Sequence, residues 1–312
     1  MLMEEYPKTL AELEKLFATD EACRKYLFSM RWPEGFVCPK CGGRKMWNMA
    51  NGLVLCRLCR SQISIMQGTI FQDSHLPLLT WFRAMWYICV QKNGISALGL
   101  QRALGVGSYR TAWMCLHKLR HAMVRPSRDK LSGVVELDET FLGGEKTGKR
   151  GRGAAGKSMV LIAAECDGPG IGRIRMSHIP KVSQNAIKQA TREMIEEHSK
   201  IISDKWSQYL WLKGDGYEHE SVYASIMLHV GKDPLPRCHR VASLLKRWML
   251  GAMQGAFDPK HLPEYLNEFT FRFNRRKSAS RGKLFYRLVQ QAMQVDAVPY
   301  KEITKALPVV DG

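Results

Sequence analysis

Residues 133–144, GVVELDETFLGG, decide the fold of the larger part of the chain. The β-branched and apolar residues at their start predict a strand, and the glycines that follow predict a turn. Two further strand patterns come next, MVLIAAECDG and GRIRMSHI, joined by a turn at 167–172. An amphipathic helix over 183–198, with Ser183 as its N-cap, then precedes a short strand, KIISD. Three strands in succession, a helix, a strand and more helices predict an α/β domain with a mixed sheet.

Two aspartates stand at the ends of predicted strands. Asp138 ends the first strand and Asp204 ends KIISD. Carboxylates at strand ends, with a third ligand from a nearby helix, suit a pair of Mg²⁺ ions, because this hard cation prefers oxygen ligands. Strand alternation puts Glu136 on the same face as Asp138, so Glu136 is an alternative ligand. Taken alone, two aspartates fit an ordinary polar surface better.

The helix predicted over 237–253 adds a second chemical signal. One of its faces is an apolar stripe made of Val241, Leu244, Leu245, Trp248 and Ala252. His239 and Lys246 lie two turns apart on the opposite face. A histidine and a lysine directed toward one cleft could bind a metal and a phosphate, and a solvated polar face is the alternative.

Four cysteines upstream have the spacing of a metal site. Cys38, Cys41, Cys56 and Cys59 form two C-x2-C pairs. Each pair presents two thiolates from a tight turn, and together they give the tetrahedral sulfur set that Zn²⁺ prefers. A redox pair or an iron–sulfur cluster fits this pattern less well. With all four positions filled by protein, the zinc is predicted to be structural.

Between the cysteines and the first strand, residues 95–123 predict a helix, a glycine turn at 105–107 and a second helix capped by Ser108. This is the pattern of a helix-turn-helix, whose second helix reads DNA from its N-terminal residues. The basic residues of that second helix that we expect to face DNA are Arg110 and Lys118, with Arg120 and Arg125 further along. A plain helical hairpin is the alternative.

Composition agrees with a polyanionic partner. The 312 residues include 47 Lys and Arg against 29 Asp and Glu, a net charge of +18. Such an excess favours nucleic acid, since neutralised phosphates release condensed counterions. The sequence has no apolar run long enough to span a membrane and no signal-peptide pattern at its start. We therefore expect a cytoplasmic protein without membrane association.

In combination these segments resemble a known family. They are ELDETFLGG, the basic loop KTGKRGRGAAGK over 146–157, IISD, SLLKRW and YLNEFTFRFNRR. The chain resembles the insertion-sequence transposases that join an N-terminal zinc ribbon to an RNase H-like, DDE-type catalytic domain. The resemblance implies that Asp138 and Asp204 are the first two catalytic residues. It places His239 at the third position, where a branch of the family carries histidine, with Lys246 seven residues later.

The complete prediction has four parts along the chain. They are an N-terminal helical segment over 1–34, a zinc ribbon over 35–66, a helical DNA-binding segment over 67–130, and an RNase H-like domain with C-terminal helices over 131–312. The predicted protein is a bacterial insertion-sequence transposase that binds double-stranded DNA at transposon ends and at the target. It would use Mg²⁺, or alternatively Mn²⁺, and act as a homo-oligomer on DNA. The alternatives are a non-catalytic DNA-binding regulator and a structure-selective nuclease.

Overall fold

The computed structural model describes most of the chain in two compact units. The described residues are 5–91, 93–143, 157–229, 231–254 and 257–304. The basic loop noted above lies outside them, apart from Lys157. The first unit comprises Met1–Ser127 with Lys277–Gly312, and the second comprises Arg128–Arg276.

The first unit begins with two helices, continues through a small sheet and ends its N-terminal part with three helices. Its elements are α1 (Leu10–Leu16), α2 (Asp20–Arg31), β1 (Met46–Asn48), β2 (Val54–Cys56), β3 (Gln62–Ile63), α3 (Leu78–Val90), α4 (Ala97–Leu104) and α5 (Tyr109–Ala122). The three strands form one antiparallel sheet in chain order. This sheet carries the four cysteines, as the hairpin pattern between the two pairs predicts.

The two predicted helices are present as α4 and α5, joined by the predicted glycine turn. Gly105 ends α4 in the left-handed region, with φ of 63°, a conformation that glycine adopts without strain. The Ser108 side chain accepts a hydrogen bond from the Thr111 N–H and so caps α5. The predicted turn and cap are therefore confirmed.

The second unit is built on a five-stranded mixed sheet. Its elements are β4 (Val134–Leu142), β5 (Ser158–Asp167), β6 (Gly170–Ile179), α6 (Gln184–Met194), β7 (Lys200–Asp204), β8 (Glu218–Val222), α7 (Ala224–His229), α8 (Pro236–Met253) and α9 (Leu262–Asn274). The strand order is β6-β5-β4-β7-β8. β5 runs antiparallel to both β4 and β6. β7 runs parallel to both β4 and β8. The α/β class and the mixed sheet are confirmed, as is Ser183 as the cap of α6.

Helices cover both faces of this sheet. α8 and α9 pack on one face, where Ile162, Val241 and Leu266 belong to one buried cluster. α6 packs on the other face, where Leu161, Ile187 and Ile201 belong to a second cluster. Because side chains alternate along a strand, even-numbered residues of β4 face α8 and odd-numbered residues face α6.

The C-terminal helices belong to the first unit. They are α10 (Arg281–Ala292) and α11 (Tyr300–Thr304). Phe285 of α10 is fully buried and its ring lies 5.7 Å from that of Phe82 on α3. The observed unit boundary at residues 276–277 thus differs from the predicted domain over 131–312. The physical reason is that the apolar face of α10 is buried against the N-terminal helices.

Helix length bears on membrane association. A spanning helix needs about 20 mostly apolar residues. Among the described residues, none of the helices meets this requirement of length and apolar character.

Candidate metal and DNA-binding sites

The four cysteines converge on one point of the small sheet. Their sulfur atoms all lie within 4.8 Å of one another, with 3.7 Å between Cys38 and Cys59 and 3.6 Å between Cys41 and Cys56. A zinc ion bound at about 2.3 Å from each sulfur requires sulfur separations of about 3.8 Å, so the set fits tetrahedral Zn²⁺. The four are free thiols, not disulfides. This is the predicted structural zinc site.

The second of the two turns that hold these cysteines favours thiolates, whereas hydrogen bonding to Cys59, together with burial, raises the pKa of Cys41 in the first turn to about 12 despite the opposing backbone hydrogen bond of Gly43. Hydrogen bonds from the side chain and backbone of Ser61 lower the pKa of Cys59 to about 6. The backbone N–H of Cys59 in turn lowers the pKa of Cys56. Gly43 lies so close that a Cβ there would be 3.3 Å from the Cys56 sulfur and 3.1 Å from the Leu58 Cβ. A larger residue in place of Gly43 would therefore crowd the cysteine sulfur atoms.

The two aspartates lie on neighbouring strands. Asp204 ends β7 as predicted, but Asp138 is in the middle of β4, because that strand continues through Leu142 in pairing with β5. β4 and β7 are parallel, with Glu136 opposite Ile202. Continuing this register by two residues puts Asp138 level with Asp204, on the face that α8 covers, where paired residues are about 5 Å apart. Burial, and then the charge of Glu139, raise the pKa of nearby Tyr209 well above its ordinary value, and the charges of both aspartates add smaller contributions. The register therefore puts the two predicted carboxylates on the same face of neighbouring strands.

His239 completes this group from α8. Its Nε2 lies 3.3 Å from Asp138 Oδ2, and its Nδ1 lies 2.6 Å from Asp233 Oδ1. The hydrogen bond to Asp138 raises the pKa of His239 to about 9, against the opposing effect of partial burial, and the charge of Asp233 adds to the rise. Metal-binding histidines commonly donate their second ring N–H to a carboxylate, which fixes the ring. Asp233 occupies that position behind His239. Among the described residues, the groups whose ligand atoms all lie within 4.8 Å of one another do not include Asp138, Asp204 and His239 together, so a cation bound by all three would require these side chains to move closer.

Glu136, the alternative ligand, is committed to another contact. Its Oε2 accepts hydrogen bonds from the backbone N–H groups of Arg237 and Cys238, at 2.8 and 2.9 Å. Its Oε1 accepts from Arg237 Nη1 at 2.7 Å, and the carboxylate side chain is only 3% exposed. Leu235, the N-cap residue of α8, offers no side-chain acceptor. Glu136 therefore binds the start of α8 to β4 through Arg237 and Cys238, the two residues that precede His239.

Lys246 lies where the sequence predicts. It is exposed on α8, two turns beyond His239. On the opposite face of α8, Val241, Leu245 and Trp248 are buried. The predicted division of this helix into an apolar and a polar face is confirmed.

The basic residues of α5 differ in their surroundings. Arg110 is exposed near the start of the helix, with its guanidinium 4.3 Å from the ring centre of Tyr300. Lys118 is half-buried, and its ammonium donates a hydrogen bond to the Gln72 carbonyl. Burial lowers the pKa of Lys118. Arg120 is only 2% exposed. The expectation that Arg120 faces DNA is therefore wrong, because tertiary packing buries that position.

Sequence reasoning overlooked Asp233 and the pair of Glu139 and Tyr209. Asp233 precedes α8, and its Oδ1 also accepts from the Leu235 N–H at 3.0 Å. The available signal was an aspartate just ahead of a proline-started helix that carries a candidate ligand. Tyr209, fully buried, donates to Glu139 Oε2 at 3.0 Å on the sheet face opposite the metal-binding group.

Comparison with known proteins places both units in one family. An ISXO2-like transposase domain matches residues 130–274, which are nearly the whole second unit, and a transposase zinc-ribbon domain matches residues 18–62. The chain is also similar to an "Uncharacterized protein in transposable element ISH50" from Halobacterium salinarum. The identity is 25% over 277 residues, covering 83% of this chain and 92% of the relative. Since the two family models occur in this order and together match more than half of the residues, the chain belongs to the IS1595-type insertion-sequence transposases, with an RNase H-like domain behind a zinc ribbon.

Proposed function

We propose that the chain is a catalytically active transposase that cleaves DNA at the ends of its element and joins the freed ends to target DNA. The observation that carries this proposal is the placement of Asp138, Asp204 and His239 on one face of the sheet. A metal-dependent phosphodiester reaction needs such a ligand group at an accessible position. His239 is 45% exposed, and its Nε2 lies 3.3 Å from Asp138 Oδ2.

In the proposed reaction, water attacks the phosphorus at the element's end, the bond from phosphorus to the 3′ oxygen breaks, and that oxygen leaves as a hydroxyl. The same hydroxyl then attacks a target phosphorus and displaces the target's 3′ oxygen, so each bond formed is matched by one broken. Bound Mg²⁺, or alternatively Mn²⁺, would supply Lewis-acid stabilisation of the attacking and leaving oxygens.

The chain's own residues then have distinct roles. Asp138 and Asp204 supply oxygen ligands, and His239 supplies a nitrogen ligand whose ring Asp233 orients. Lys246 holds a phosphate oxygen farther along α8. All five side chains come from the middle of β4, from the end of β7, and from α8 with the residues just before it.

DNA recognition would come from the first unit. Arg110 lies at the N-terminal end of α5, where a recognition helix contacts base edges. Lys118 would act from within the fold by positioning the adjacent loop, given its hydrogen bond to Gln72. An element has two ends, so we propose a homo-oligomer on double-stranded DNA.

The test is a plasmid carrying the element's two ends, incubated with Mg²⁺ or Mn²⁺ and the purified protein. Asp138→Ala and Asp204→Ala should each abolish cleavage and joining but retain binding to the ends. Glu197→Ala, which removes an exposed carboxylate of the same unit, should behave as wild type. Cleavage and joining by either aspartate variant would refute the assignment.

The same assay separates the alternatives. Wild-type protein that nicks the ends without joining them would be the structure-selective nuclease. Wild-type protein that binds the ends without nicking them would be the DNA-binding regulator. A transposase must do all three.

A further inference from the structure

The zinc ribbon has a one-sided charge. Residues 35–72 contain no aspartate or glutamate. Its five basic residues are all exposed: Lys40, Arg44, Lys45, Arg57 and Arg60. Four thiolates around one Zn²⁺ carry two net negative charges, which the five cations exceed. The ribbon is therefore a positively charged module.

Part of this charge is organised around one tryptophan. Trp47 of β1 pairs with Leu55 of β2, and the Arg57 N–H donates to the Lys45 carbonyl at 2.9 Å. Alternation along the two strands therefore puts Lys45, Trp47 and Arg57 on the same face. Arg57 lies with its guanidinium carbon 4.9 Å from the centre of the indole ring.

Arg60 reaches the same ring from the second cysteine turn. Its backbone is left-handed, with φ of 58°, and its N–H donates to the Cys56 carbonyl at 3.0 Å. Its guanidinium carbon lies 5.2 Å from the centre of the Trp47 ring. The zinc-holding turn thus delivers a second guanidinium to a tryptophan that is 45% exposed.

A half-exposed tryptophan between two arginines limits where their guanidinium groups can go. Cation–π contacts favour guanidinium positions over the ring, and a guanidinium so held is ready to bind a phosphate through its planar set of donors. Carboxylates that could neutralise the pair are absent from this segment of the sequence.

We propose that Lys45, Trp47, Arg57 and Arg60, the ribbon face, bind the phosphate backbone of double-stranded DNA, with Trp47 fixing the two guanidinium groups. This rests on the DNA-binding part of the proposed function and adds a second contact surface to α5. Duplex DNA presents closely spaced phosphates along its axis, which suits several cations on one face. Backbone contacts carry no base information, so the ribbon face positions the protein and leaves base reading to other residues.

The test is a salt series of binding to a short fluorescein-labelled duplex of arbitrary sequence, read by fluorescence anisotropy without added Mg²⁺. Each phosphate contact contributes about 0.9 to the slope of log affinity against log salt. The double variant Arg57→Gln/Arg60→Gln should therefore make this negative slope shallower by about 2. Lys8→Gln/Lys15→Gln, which removes two exposed charges from the same unit, should leave the slope nearly unchanged.

Trp47→Leu tests the organising role of the ring, since it keeps every charge. Without the ring the two guanidinium groups lose their fixed positions, and binding should weaken by about two- to fivefold at fixed salt, the equivalent of one exposed cation–π contact. Each variant must retain one zinc per chain, which shows that the ribbon is folded. A double-arginine variant that matches the lysine control, or a Trp47→Leu variant that binds like wild type, would overturn the proposal.

These results are independent of catalysis. If wild-type protein fails to cleave but the arginine variant lowers the slope, the proposed catalysis fails and the ribbon face stands. If wild-type protein cleaves and joins but the arginine variant binds like the control, only the ribbon face fails.

Discussion

Replacing Glu136 tests how α8 is held above the two aspartates. The Glu136 carboxylate accepts two backbone N–H groups at the start of α8 and forms an ion pair with Arg237. Glu136→Ala removes all three acceptor contacts at once. The Arg237 guanidinium would keep only its hydrogen bonds to the carbonyls of Gly168 and Gly170. The charge that balances it would be gone.

The structure sets the size of the effect. Side-chain exposure is 3% for Glu136 and 20% for Arg237, so the pair is largely buried. Removing one partner of a buried pair costs about 3–5 kcal/mol, and the partial exposure of Arg237 favours the lower end of that range. Glu136→Gln keeps the volume and one acceptor but loses the charge. It should cost about 1.5–3 kcal/mol, the contribution of a hydrogen bond to a charged group.

Hydrogen exchange read by mass spectrometry measures both the global and the local effect. The slowest amides of β4 and β5 report the free energy of opening of the second unit, and the amides of Arg237 and Cys238 report the start of α8. We expect both to exchange faster in Glu136→Ala, with Glu136→Gln intermediate. Glu197→Gln serves as the matched control in the same unit. Loss of less than about 1 kcal/mol in Glu136→Ala, or wild-type protection at the start of α8, would refute the reasoning.

Three further perturbations probe other parts of the chain. A hydrogen bond to Asp138 raises the pKa of His239 from 6.5 to about 9. Protonated His239 therefore stabilises the folded state, and this contribution is complete below pH 6.5 and is lost as pH rises through about 9. The free energy of unfolding without Mg²⁺ should fall across that window, and a pH profile unchanged by His239→Gln would contradict this. Cys59→Ser removes one zinc ligand and should release zinc and lower the melting temperature, measured with a colorimetric chelator and circular dichroism; full zinc retention would argue against the four-sulfur site. Gly282→Ala would put a Cβ 1.7 Å from the Pro7 carbonyl oxygen and should cost about 1–3 kcal/mol in denaturant unfolding, whereas Gly214→Ala, with open space around it, should cost much less.

Local patterns in the sequence were sufficient for most elements of the sheet, and the missing strand shows why some were not found. β7 is a short apolar run and was predicted, but β8 reads EHESV and lacks any apolar alternation. It lies at the sheet edge, where Lys200 of β7 pairs with Glu218 and Glu220. At this edge, ion pairs between the neighbouring strands stabilise the pairing of β8 in place of a regular row of buried apolar side chains. Such a strand is recognised only once its neighbour is known.

The partner of a helix is likewise a nonlocal property. The periodicity of α10 shows that one face is buried, but it does not show which surface covers that face. Phe285 packs on Phe82 and on Phe17 of the segment after α1, far away along the chain. For the same reason Lys118, which helical spacing leaves exposed, is half-buried beside Gln72.

The candidate site also depends on nonlocal contacts that the sequence does not specify. Residue types and strand ends identified Asp138, Asp204 and His239, and their proximity depends on the β4–β7 register, which the sequence alone does not specify. Glu136 and Asp138 share a strand face, so alternation cannot distinguish them. The distinction comes from Arg237, 101 residues away, which occupies Glu136 and leaves Asp138 to His239.

This pairing determines the charge that a cation would meet. Glu136 is balanced by Arg237, so on that face Asp138 and Asp204 supply the negative charge from the sheet. As a ligand to the proposed cation, the His239 imidazole would be neutral and would supply no negative charge of its own. Asp233, hydrogen-bonded to His239 Nδ1, places a carboxylate directly behind the ring and makes the ring a stronger electron donor. In the proposed site the third ligand therefore acts as the pair of Asp233 and His239, in which the negative charge stands one side chain behind the atom that would contact the cation.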